Sequence, residues 1–250
     1  MIGIGRSISH TGSSIQYGWN HNKEAKVVYK KNLVGENPKE VTEEFSIIQS
    51  MNFNCKKNTF SFIISPTIED GKKMELKDLK NVTTEFIKEL KLEEHQAIAF
   101  VHNDKEHKHI HLYVNRIDFE GKAYDDSFIG KRSQKTAEKV ALKLNLKTVK
   151  QVKEEKLENL KDVRKFIRDK HLLVFGSFIP EDTISYASQM EQYGIKVKPV
   201  INKSGTLQGF RYSINEVSLK GSEVHRSMSI NTLIKEYNKI KKPNDFHGNS

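Results

Sequence analysis

Four of the ten histidines in this chain fall in one short string, His102-Asn-Asp-Lys-Glu-His107-Lys-His109-Ile-His111-Leu-Tyr-Val-Asn115. Successive side chains on a β-strand point to opposite faces, so His107, His109, His111, Tyr113 and Asn115 share one face. Ile110, Leu112 and Val114 share the other, where they can meet a core. His102 ends a preceding run, Gln96–His102 (QAIAFVH), which reads as a strand joined to the first by the polar turn NDKE. Across such a hairpin His102 approaches the same point as His109 and His111. Three neutral imidazoles converging on one point make a divalent-metal site with open positions, and catalysis uses those positions to hold a substrate oxygen. One or two alternating histidines would simply face water. His102, Asp104, His107, His109, His111 and Asn115 together argue for a site. Asp104 is a candidate for orienting His102 or assisting proton transfer, with a turn-capping role as the alternative. His107 and Asn115 are candidates for supporting the ligands or contacting substrate.

The elements that must hold this hairpin follow from periodicity. Ile2, Ile4 and Ile8 alternate with small residues and predict a short strand, followed by a glycine-containing turn and a short helical or irregular segment around Tyr17. Asn37-Pro38 with Glu40 opens a helix over 38–52, with proline in its first turn. Thr59–Ser65 (TFSFIIS), stopped by Pro66, predicts a strand. Leu76, Leu79, Val82, Phe86 and Leu90 predict an amphipathic helix over 75–91. The hairpin's return strand should run His107–Ile117. Helices are expected at 133–145, near 149–170, at 181–194 and at 230–241. The run 172–179 reads as a strand or buried connector. Strands 195–201 and 207–214 flank the hairpin turn NKSG.

Lys and Arg total 42 against 32 acidic residues, a formal charge of +10. That imbalance in a chain without membrane-helix patterning points to a polyanion, because basic side chains displace counterions condensed on phosphates. A single cysteine, Cys55, excludes an intramolecular disulfide and any Cys-rich metal site. No signal-peptide or membrane-spanning run is seen, so a cytoplasmic protein without membrane insertion is expected.

His109-Ile110-His111 matches the histidine–hydrophobic–histidine signature of the HUH endonucleases. With the HxD turn before it and the late Asn115, the string resembles the third motif of the relaxases of the mobilisation P class, nucleases of DNA mobilisation. The resemblance implies His109, His111 and His102 as ligands of one divalent ion. Manganese or magnesium would suit phosphoryl chemistry, and three imidazoles would also suit zinc. Such relaxases carry a tyrosine near the N-terminus before a polar, lysine-containing stretch, which in SIQYGWNHNKEAK is Tyr17. A phenol with its ordinary pKa of about 10 is a weak nucleophile and needs a base or a polarised phosphate nearby. His21 ranks second as nucleophile and Tyr29, in the strand-like AKVVYKK, third. Ser65 occupies the place of the family's second motif, implying a DNA contact near the nick. Trp19 can stack on a splayed base or anchor a core.

The resemblance further implies an α+β fold: a central antiparallel sheet, with helices on one face and the metal on the other. The expected organisation is a catalytic core over 1–148, a helical and hairpin part completing it over 149–242, and a tail over 243–250. Lys196, Lys198, Lys203, Arg211, Lys220 and Arg226 give the second part a basic surface, and Ser222 and His225 are polar residues without an assigned role. The implied activity is nicking of one DNA strand at an origin of transfer through a 5′-phosphotyrosyl intermediate, later religated. Implied partners are single-stranded DNA, accessory mobilisation proteins and a coupling protein of a type IV secretion system in a bacterial cytoplasm. The alternatives are an HUH replication initiator or transposase, whose tyrosine usually follows the histidines, and a DNA-binding module with a structural metal site.

Overall fold

A computed structural model describes residues 1–19, 25–103, 108–177 and 183–241. Asp104, His107 and His21 therefore lie outside the described residues, as does the tail over 243–250. The chain divides into two units, Met1–Lys153 and Glu154–Ser250.

Alternation along the strands builds the first unit. Strands β1 (Ile2–Ile8), β2 (Lys26–Lys31), β3 (Thr59–Ser65), β4 (Ala97–His102) and β5 (His109–Asn115) form a five-stranded antiparallel sheet in the order β1-β3-β5-β4-β2. Phe60, Phe62 and Ile64 of β3, Ala97, Ala99 and Val101 of β4, and Ile110, Leu112 and Val114 of β5 all enter one core. Two helices close it: α4 (Leu76–Glu89) through Leu79, Val82, Phe86 and Ile87, and α5 (Ile129–Lys143) through Ala137, Val140 and Ala141. Between β3 and α4 the chain forms a short helix, α3 (Ile68–Lys73), that periodicity does not predict.

In the first strand glycines, rather than Ile2 and Ile4, face the helix that covers the core. Gly3 and Gly5 lie under α5, so close that a Cβ at Gly3 would stand 2.5 Å from the Ser133 carbonyl oxygen and one at Gly5 2.1 Å from Ser133 Oγ. Ile2 and Ile4 consequently point the other way and are exposed.

Helices also cover part of the opposite face, which corrects the expectation of helices on one face only. QAIAFVH is apolar at every position from Ala97 to Val101, and a strand of that kind is buried on both sides. Ile98 and Phe100, with Tyr113, therefore pack against Ile15 of α1 (Thr11–Gly18) and Val41 and Phe45 of α2 (Pro38–Gln49). Asn37 caps α2, its Oδ1 accepting from the Glu40 amide at 3.0 Å. This second layer stops where Phe100 gives way to His102 and Tyr113 to His111.

In the second unit, strands β6 (Lys196–Ile201), β7 (Leu207–Ile214) and β8 (Val217–Lys220) form an antiparallel sheet in that order. Its core gathers Ile167, Val174, Tyr186, Met190, Ile195, Phe210, Tyr212 and Leu219. Where one charged helix was expected there are two, α6 (Val149–Asn159) and α7 (Lys161–Ser177). The segment read as a strand or buried connector at 172–179 is thus helical through Ser177. Its buried face is Ile167, His171 and Val174, at helical spacing, while Leu172 and Leu173 are half exposed. A histidine in the apolar stripe hides that helix from a pattern reading. The unit is completed by α8 (Thr183–Glu191), a short helix α9 (Gly221–Val224), a 3-10 turn at Arg226–Met228 and α10 (Ile230–Lys241).

Candidate active site

The β4–β5 register places the histidines. His102 pairs directly with His109, and Phe100 with His111. Paired residues of antiparallel strands project to the same face about 5 Å apart, so three rings gather at one end of the sheet. The His102 ring centroid lies 4.5 Å from that of His111 and 5.5 Å from that of His109, with 4.9 Å between the last two. All three side chains are buried, and one nitrogen of each lies within 4.8 Å of the others.

The hydrogen bonding of His102 says which nitrogen is available. Nε2 lies 2.9 Å from the carbonyl oxygen of Gly18, which can only accept, so Nε2 carries the proton. Nδ1 is then a lone pair, buried and without a hydrogen-bond partner. A buried acceptor left in that state costs about 1–3 kcal/mol unless something fills it. A ligating histidine typically gives its other N–H to a carbonyl or carboxylate, which fixes its tautomer. The donor set and the orphaned lone pair fit a divalent ion held by His102, His109 and His111. Here the Gly18 carbonyl orients His102.

Gly18 ends α1, and α1 brings the tyrosine. The Tyr17 ring lies 5.7 Å from His102 and 5.4 Å from His111, centroid to centroid. Its side chain is 45% exposed, so one edge meets the histidines and another faces solvent. The helix is held at both ends. At its start, Thr11 Oγ1 and Thr59 Oγ1 are 2.6 Å apart, and Gln49 Nε2 donates to the latter at 2.9 Å. At its end, Gly18 lies so close to Phe100 that a Cβ would stand 2.5 Å from that ring.

Other expected residues fall in different places. Ser65, one step beyond the Ile64–Ile110 pair, stands at the end of β3 on the histidine face. Trp19 packs on Phe100 with centroids 5.3 Å apart and is half-buried, so its contact here is with the core. Asn115 is at the wrong end of β5, roughly 14 Å from His111 along an extended strand. Its Nδ2 donates to the Phe45 carbonyl and Gln96 Oε1, and its Oδ1 accepts from the Ile117 amide. Those bonds pin the strand to α2 and leave the side chain no part in the histidine cluster. Tyr29 pairs with Ala99 and packs against the core on the opposite sheet face, away from the histidines.

Two neighbours carry no role in the sequence reading, although the strand period puts the first of them on the histidine face. Tyr113 lies on the floor of the site, where burial and the nearby Tyr17 phenol raise its pKa and keep it a neutral hydroxyl. Arg6 stands in the cross-strand row Arg6–Ser61–Tyr113 and puts an exposed cation on the histidine face. Its signal was its phase in β1, visible only once the pairing is known.

A family model described as the MobA/VirD2-like relaxase nuclease domain matches residues 17–146, just over half of the chain. The chain belongs to this relaxase family. The matched span runs from Tyr17 through all three histidines. Relaxases are DNA-nicking enzymes that act on single-stranded DNA and use a divalent metal. No curated protein and no solved structure matches the chain. Among the described residues no helix is long and apolar enough to cross a membrane.

Proposed function

We propose that this relaxase nicks one strand at an origin of transfer by transesterification, with Tyr17 as the nucleophile and His102, His109 and His111 as the metal ligands. The observation that carries the reading is the Tyr17 ring, half-exposed and within 5.7 Å of two of the three imidazoles. When bound, the divalent ion supplies a Lewis acid for a scissile phosphate oxygen. Tyr17 Oη attacks phosphorus, the bond to the 3′ oxygen breaks, and that oxygen leaves as a 3′-hydroxyl. The 5′ phosphate stays on Tyr17 as an ester that a 3′-hydroxyl can later reverse. Asp104 remains the candidate for moving the Tyr17 proton. Arg6 and Ser65 lie where they can contact the strand. The row Ile4–Ile63–His111, with Ile4 exposed, offers bases an apolar surface beside the cluster. Accessory mobilisation proteins and a coupling protein are the partners this activity implies.

The experiment uses single-stranded oligonucleotides tiling the DNA on both sides of the coding gene. Wild type should form a denaturation-resistant protein–DNA adduct with one of them, and Tyr17→Phe should bind it without forming the adduct. An adduct that persists in Tyr17→Phe and vanishes in His21→Ala would move the role to His21. Cleavage with no adduct would replace transesterification by hydrolysis.

A further inference from the structure

A second concentration of charge lies at the same end of the β4–β5 hairpin, on the side away from the histidines. A cleft of about 710 Å³ there is lined by Lys26, Lys72, Lys73, Lys77 and Lys108, with one carboxylate, Glu75. The lysines come from β2, the last turn of α3, the first turn of α4 and the residue preceding β5. Local structure accounts for part of this. Cations suit the C-terminal turn of α3, and Lys73 pairs with Glu69 at 3.5 Å. Lys108 Nζ donates to the Met74 carbonyl at 2.6 Å, tying the hairpin to the α3–α4 connection. Lys77, however, sits at the end of α4 that repels cations, offset by Glu75 at 3.2 Å. Among the described residues no ion pair joins Lys26 or Lys72 to a carboxylate. Five ammonium groups around one concavity raise its potential, and the complement of that potential is a ligand with several negative charges.

Position along the chain says which ligand. Val101 and Asn103, which also line the cleft, flank His102, and Lys108 precedes His109. The cleft and the histidine cluster are thus two sides of one hairpin end. We propose that the cleft binds the phosphate backbone of the single DNA strand presented to the histidines. The proposal rests on the nuclease reading of that cluster.

The test is equilibrium binding of the full chain to a fluorescent single-stranded oligonucleotide of mixed sequence, with chelator present and salt varied. The cleft variant is Lys26→Gln/Lys72→Gln/Lys77→Gln, which spares Lys108 and its structural bond. The control is Lys122→Gln/Lys131→Gln/Lys135→Gln, three exposed lysines elsewhere in the same unit. Each phosphate contact contributes about 0.7 to the slope of log affinity against log salt for a single strand. The cleft variant should lose about 2 from that slope, and about tenfold or more in affinity at physiological salt; the control should lose little of either. Equal losses in both variants, an unchanged slope in the cleft variant, or a loss on duplex alone would each overturn the proposal. Since nothing is cut in this assay, a chain unable to nick could still show the cleft effect. A chain that nicks with an unchanged slope would lose the cleft alone.

Discussion

His102 and His171 are both fully buried, and each spends one ring nitrogen on a hydrogen bond while the other has no such partner. In the first unit, His102 gives its Nε2 proton to the Gly18 carbonyl and turns Nδ1 toward two more imidazoles. In the second, His171 Nδ1 meets the Tyr186 hydroxyl at 2.8 Å, and Tyr186 in turn donates to Tyr212 at 3.0 Å. With its own proton so used, Tyr186 accepts from Nδ1, which leaves Nε2 as the orphaned lone pair. The rings around His171 belong to Phe175 and Tyr186, neither of which is a metal donor of the imidazole kind. Burial and an orphaned nitrogen are therefore common to both histidines. What separates a candidate metal centre from a core hydrogen-bond chain is convergence of further donors, and that is set by strand register.

The largest effect expected from this contrast is catalytic. His109→Ala/His111→Ala should lower metal-supported nicking at least about a thousandfold, the loss of several kcal/mol of transition-state stabilisation. It should also abolish the rise in melting temperature on adding manganese or zinc. His171→Gln should leave both responses intact. A double variant that nicks at the wild-type rate, or a metal response that disappears with His171, would break the comparison.

The next effect belongs to His171 and is one of stability. Burial lowers its pKa from 6.5 to about 4. Above pH 6.5 the ring is neutral in folded and unfolded chains alike. Between pH 6.5 and about 4 the unfolded chain takes up a proton that the folded one refuses, so stability falls with pH across that window and levels off below it. At 1.36 kcal/mol per unit the loss approaches about 3 kcal/mol. His95, also depressed by burial, titrates in the same direction, so the measurement is a difference. Chemical denaturation of wild type and His171→Gln at several pH values should show a shallower fall in the variant. Parallel curves would assign the acid sensitivity elsewhere.

Much of the candidate metal centre is legible in the sequence because a strand's two-residue period is rigid. His109 and His111 could only share a face, and a hairpin turn could only return His102 to them. Tyr17 is legible through family resemblance rather than through periodicity, since nothing in SIQYGWN specifies its neighbours. The role of Asn115 is misjudged by the same period that finds the histidines, because phase fixes a face and says nothing of distance along it. Cover on both faces of the sheet follows from the continuous apolar run of β4, a signal available but outweighed by the expectation of one open face. Helix α7 is obscured by His171, a polar residue in an otherwise apolar stripe. Arg6 and Gly18 depend on pairings between distant segments, which local patterns do not contain.

The smallest expected effect tests the link between the tyrosine helix and the candidate metal site. Gly18 lies at the end of α1, where alanine would ordinarily favour the helix by up to about 1 kcal/mol. Here its Cβ would stand 2.5 and 2.7 Å from two carbons of the Phe100 ring and 2.9 Å from Tyr113, both fixed in the core. Overpacking of that kind costs about 1–3 kcal/mol and wins over the propensity gain. The end of α1 must lift, and two groups lift with it: the Gly18 carbonyl that sets the tautomer of His102, and Tyr17 one residue before. Loss of such a support weakens metal binding about 10- to 100-fold, and adduct formation should slow by a similar factor. Gly12→Ala is the internal control. It lies in the same helix, where a Cβ would meet only the Thr42 side chain, its methyl at 3.2 Å and its hydroxyl at 3.8 Å, and its metal affinity and adduct rate should stay near wild type. Metal titration and adduct kinetics of both variants decide the matter. If Gly18→Ala raises the melting temperature and binds metal as tightly as wild type, the carbonyl contact is incidental, and His102 is oriented by something other than the helix that carries Tyr17.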